Sequence, residues 1–165
     1  MFPYRVTKYD PVHRDELGRY ARDDWTSFAD VGRECAGAIL TLDEYERVES
    51  TYIDSALGFL READVRSLSA RGVENASGSS VAPTEGASLE PLALGAVMQG
   101  ILREDFWCRL EAPAAFVHFG WDYYMYVGVP ARCESACEVA RRRGLFVEPF
   151  ESPYRESDDP HEEAS

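Results

Sequence analysis

Residues 116–128, FVHFGWDYYMYVG, place six aromatic side chains, a histidine and an aspartate within thirteen positions. His118 and Asp122 belong to the residue types that exchange protons near neutral pH or orient one another to do so. That chemistry needs titratable groups converging in a cleft, and Asp30 is the other carboxylate that could serve His118. Nothing in the spacing brings these groups together. The chain has no G-x-S-x-G elbow, phosphate-binding glycine loop, dinucleotide fingerprint or H-E-x-x-H helix. No catalytic residue is assigned, no cofactor is expected, and an enzyme is the less favoured class.

Recognition is the second chemistry open to this stretch. Alternation along two strands puts Ala115, Val117, Phe119, Tyr123, Met125 and Val127 on one face. Phe116, His118, Tyr124 and Tyr126 fall on the other. The first set is a coherent core face. The second is too apolar to stand in water without a cover, so either another helix packs over it or it grips a ligand or a partner's side chain. Gly120-Trp121-Asp122 is read as the connecting turn, with Phe119 opposite Tyr123 and Asp122 left-handed. A tryptophan at such a tip either folds back or serves as an anchor. Trp25 and Asp30, in the polar block DDWTSFADVG, complete the candidate binding residues as the rim of a pocket.

Cys133 and Cys137 stand at i and i+4, a spacing that could offer two metal ligands from one helix face. The competing reading is two small core residues. No nearby Cys or His pair completes a site, so no metal is expected.

The elements that must position these residues are legible to different degrees. YRVTKY (residues 4–9) alternates like a strand. Thr26 or Ser27 caps a short helical turn ended by Gly32. Thr41 and Glu44 form a capping box, and Tyr45, Val48, Tyr52, Ile53, Ala56 and Leu60 recur at helical spacing, predicting a helix over 42–62. VRSLSARGVE is a weaker strand. NASGSSVAPTEGAS (75–88) reads as a flexible loop without a site. A second helix starts near Ser88, with Pro91 in its first turn, and closes at Ala112-Pro113. A third lies between Pro130 and Gly144, and LFVEPF is a last strand. The expectation is a single α+β domain over 1–152, a mainly antiparallel sheet of four to five strands with three helices packed against it, and a disordered acidic tail over 153–165.

The formal net charge of −13 is partly local, since residues from Glu148 onward carry seven acidic groups against one arginine. The remaining body is still near −7, which disfavours nucleic acid and suits a basic partner. No apolar run reaches the roughly 20 residues needed to span a bilayer. The N-terminus has no apolar signal region, so a cytoplasmic location without membrane contact is expected.

At RVTKYDP, DDWTSFADVG, LTLDEYERVESTYI and FVHFGWDYYMYVG together, the chain resembles a family of short bacterial proteins, actinobacterial in type, of uncharacterised function. The family shares a Trp-Thr-Ser block followed by Asp-x-Gly, and the aromatic hairpin. The resemblance covers most of residues 4–154 and implies no activity, cofactor or site residue. Two functions are therefore open to the chain. The first is a protein-binding module, for instance an immunity or antitoxin protein that blocks a basic toxin or nuclease. The alternative is a small-molecule-binding protein or enzyme using the His118, Tyr124 and Tyr126 face.

Overall fold

The computed structural model of the chain describes residues 1–155. In chain order its elements are β1 (Phe2–Thr7), a small ribbon of β2 (Glu34–Cys35) and β3 (Ala38–Ile39), α1 (Leu42–Glu62), β4 (Leu68–Glu74), β5 (Ser88–Leu89), α2 (Pro91–Leu102), β6 (Trp107–Ala112), β7 (Ala115–Phe119), β8 (Met125–Val129), α3 (Glu134–Arg142) and β9 (Phe146–Pro149). Among these described residues, seven strands make one antiparallel sheet in the order β5-β4-β6-β7-β8-β1-β9. The buried faces of the three helices join one core with Val6, Ala70, Leu110, Val117, Met125 and Val127 from the sheet. Among the described residues no helix is long and apolar enough to cross a membrane.

The α+β class and three helices are as expected, but the sheet has seven strands rather than four to five. The strand that matters most for the site, β6, was hidden in the predicted second helix. That helix ends at Leu102 because Glu104 turns left-handed, at φ 61°. The N–H groups of Glu104 and Asp105 then donate back to the carbonyls of Ile101 and Gly100, a Schellman closure made without glycine. From Trp107 the chain alternates, with Cys108 and Leu110 fully buried and Trp107, Arg109 and Glu111 only partly so. The seventh strand, β5, lies at the end of the predicted loop, where Leu89 pairs with Leu68.

The hairpin also departs from the expected register. Phe119 lies opposite Met125, Val117 opposite Val127, and His118 opposite Tyr126. The connection spans residues 120–124 instead of three residues. A shift of two leaves every side chain on its expected face, because alternation has a period of two. The longer turn places both Asp122 (φ 62°) and Tyr123 (φ 67°) in the left-handed region. Tyr123 thereby drops into the core, where its hydroxyl donates to that of Tyr45 at 2.9 Å.

Among the described residues no α-helix covers the outer face of the sheet. Two irregular segments do so instead. Arg14 from the first makes a two-point contact with Glu148 of β9 at 2.8 and 2.9 Å. The second runs on from β9, with Phe150 and Tyr154 against Tyr126. Of the tail expected over 153–165, residues 156–165 lie outside the described residues, whereas Tyr154 rests on the sheet.

Candidate functional site

β7 carries His118 into the centre of that outer face, where it is 0% exposed. Its Nδ1 lies 2.7 Å from Ser152 Oγ and its Nε2 2.9 Å from Glu111 Oε1. Phe116 stacks on the ring at 4.5 Å. Burial first, and then the Arg109 and Arg155 guanidinium groups, push the imidazole pKa down to about 3. The ring is therefore neutral at pH 7, and its partners assign the tautomer. Nε2–H donates to the Glu111 carboxylate, while Nδ1 accepts the Ser152 hydroxyl proton. Ser152 Oγ in turn accepts the Tyr154 N–H at 3.2 Å.

A serine, a histidine and a carboxylate in sequence invite comparison with a nucleophile and its base. Access decides otherwise, because Ser152 is itself buried and its hydroxyl is committed to the ring. What the relay does is hold residues 150–155 on the sheet. Glycines make room for it. A Cβ on Gly128 would lie 2.2 Å from the Phe116 ring, and one on Gly120 would meet the Tyr154 hydroxyl at 3.0 Å.

The other candidates separate. Tyr126 is buried beside Tyr154 and Phe150, within the His118 cluster. Tyr124 stacks on Tyr9 at 5.2 Å, away from the imidazole. Trp25 is buried against Tyr45 and Tyr123, and its carbonyl accepts from Lys8 Nζ at 2.6 Å. Asp30 turns its carboxylate inward, where Oδ2 accepts the N–H groups of Thr26 and Ser27. Cys133 and Cys137 are buried in the helix-side core.

Trp121 is placed quite differently. It stands 80% exposed at the hairpin turn and lines a cavity of about 430 Å³. The cavity is built from four stretches of chain. Thr26 reaches it from the block that Asp30 braces. Glu74, Ala76 and Ser77 come from the end of β4 and the loop beyond. Glu104, Asp105 and Phe106 come from the α2–β6 connection, and Asp122 from the turn. Ile101, Leu102, Phe106 and Phe119 are members of the buried core that surface on its wall. Ser77 ties the loop to the connection by donating its hydroxyl to the Asp105 carbonyl.

Electrostatically the cavity is one-sided. Glu74, Glu104, Asp105 and Asp122 all line it, and among the described residues it has no lysine, arginine or histidine. None of these four carboxylates is in a hydrogen bond or ion pair among the described residues. Nor do they converge, since no three His, Cys, Asp or Glu side chains among those residues could hold a metal ion. Elsewhere the inward carboxylates are answered. Glu49 has Arg103 and Gln99, and Asp24 has Lys8.

Compared with protein-family models, curated proteins and solved structures, the chain matches none. Glu74, Ser77, Glu104 and Asp105 were not among the residues singled out from the sequence. The one local signal was the run Glu104-Asp105-Phe106-Trp107, two acids against two aromatics directly after a helix.

Proposed function

We propose that this chain is a protein-binding module that docks a basic partner through the Trp121 turn, in the manner of an immunity or antitoxin protein blocking a basic toxin or nuclease. One observation carries the reading: an exposed tryptophan beside four carboxylates that find no hydrogen-bond or ion-pair partner among the described residues. An exposed aromatic at the centre of a docking patch is a typical energetic anchor, and unpaired rim charges steer the encounter. The net charge of −13 acts in the same direction at longer range. The alternative, a small-molecule or catalytic site at His118, draws less support, since both ring nitrogens are bonded within the chain.

The test is capture on the immobilised chain at low and moderate salt, with Trp121→Ala in parallel. A basic protein should be retained by the parent chain, released by the variant, and bound more slowly as salt rises. A partner held equally by both chains and indifferent to salt overturns the reading.

A further inference from the structure

The cavity beneath Trp121 has a more specific chemistry than a basic surface in general would need. We propose that it is a socket for a single arginine side chain presented by the partner. This rests on the reading of the Trp121 turn as a docking surface and adds the identity of the group that enters it.

Arginine joins an aliphatic stem to a planar, permanently charged head. The cavity is laid out in the same two parts. Ile101, Leu102 and Phe106 supply apolar wall for the stem. Glu74, Glu104, Asp105 and Asp122 supply negative charge for the head that no described residue pairs with. Because these carboxylates do not converge on a point, the arrangement suits a delocalised cation with several donors better than a compact metal ion. Trp121 offers an exposed ring on which a guanidinium can stack, and Trp107 is a second ring on the wall. A volume of about 430 Å³ accepts an arginine side chain together with part of a flanking residue. Lysine fits less well, since its ammonium is compact, strongly hydrated and unable to stack as a plane. The same recognition already occurs inside this fold, where the Arg103 guanidinium lies over the Phe28 ring while bonded to Glu49.

The experiment titrates the full chain with blocked amino acids and follows the three tryptophan indole N–H signals by NMR. N-acetyl-arginine amide should shift the Trp121 signal in a salt-dependent manner. N-acetyl-citrulline amide, which keeps the shape and loses the charge, should bind at least about tenfold more weakly, and N-acetyl-lysine amide should lie between. The double variant E104Q/D105N, which preserves the cavity's shape, should lose about tenfold for the arginine probe while its own spectrum stays folded. Equal response to arginine and citrulline, or shifts that map away from Trp121, overturns the socket. Lysine binding as well as arginine overturns the arginine assignment. Free arginine binding more tightly than the blocked form makes the cavity a metabolite site and overturns the docking assignment. The two levels of inference fail separately. A basic partner lost with Trp121→Ala, but no response to the arginine probe, removes the socket and leaves the docking surface. The reverse result removes the docking surface and leaves a guanidinium site.

Discussion

On the outer face of the sheet, His118 has both nitrogens bonded within the chain, and the Tyr154 ring lies against it and against Tyr126. A few residues along the same hairpin, Trp121 stands in solvent beside four carboxylates with no partner among the described residues. Residue types alone make the first region look more functional, since it holds a histidine, a serine and a glutamate within hydrogen-bond reach. The difference lies in satisfaction. A buried polar group that has found its partners contributes order and stability, and it has no bond left to offer a ligand. An exposed group of like charges raises the free energy of the unbound chain and gains partners only from outside it. Substitutions in the first region should therefore be felt in stability, and those in the second in binding.

The largest effect should come from Gly128→Ala. The added methyl would sit 2.2–2.6 Å from the Phe116 ring, which is itself stacked on His118 and covered. A loss of about 3 kcal/mol is expected from such overpacking, read as a shift of the urea midpoint at constant slope. An unchanged midpoint would mean that the outer face is loosely packed and differs little from the Trp121 region.

Acid should act on the same region through His118. Unfolded, its imidazole titrates near the ordinary 6.5; folded, burial and two guanidinium groups hold it at about 3. The unfolded chain therefore takes up a proton first, so this contribution is complete above pH 6.5 and is lost as pH falls toward 3. Between pH 6.5 and 5 the loss should be about 2 kcal/mol. That window lies above the range of Glu49 and Glu148, whose pKa values are lowered and whose losses come only as pH falls below their ordinary 4.5. Urea midpoints across this window should slope in the parent chain and flatten in His118→Asn. Equal slopes in the two would place the pH dependence elsewhere.

Much of the frame was legible in the sequence, and the missing parts share a cause. α1 runs over the predicted residues, with Thr41 Oγ accepting the Glu44 N–H at 3.1 Å, because both signals are local. α3 closes where Gly144 takes φ 93°, as glycine advertises. α2 closes by the same hydrogen bonds at Glu104, a residue that gives no such signal, and β6 was lost behind it. With β6 went Glu111, the second partner of His118. The first partner, Ser152, is 34 positions away, beyond any local pattern. The Trp121 cavity was out of reach for a related reason. Its walls come from four separated stretches, and only the three-dimensional chain brings Glu74 and Ser77 to Glu104 and Asp122. Face assignment survived a wrong turn length because an even register shift does not change parity.

Ser152→Ala is the intermediate case within the closed region. It deprives His118 Nδ1 of its donor and the Tyr154 N–H of its acceptor while leaving the ring buried. The expected cost is about 1–2 kcal/mol, accompanied by faster proteolytic trimming of the C-terminal segment than in the parent chain. Normal trimming with lowered stability would mean that the relay does not hold the C-terminal segment.

In the open region the same measurements should barely move. Trp121→Ala removes a side chain that is 80% exposed and is expected to change stability by no more than about 0.5 kcal/mol while removing partner binding. Asp122→Asn is the finest test. Asparagine tolerates the left-handed φ of 62° as well as aspartate does, so the turn is kept and only the charge is lost. With one of four like charges gone, stability should rise by a few tenths of a kcal/mol, about the size of an exposed charge interaction. Affinity for the basic partner should fall in the same variant. If Asp122→Asn instead destabilised the fold by more than about 1 kcal/mol, the carboxylate would be bracing its own turn. The rim would then be a closed structure like the one around His118, and Trp121 alone would remain to argue for a partner.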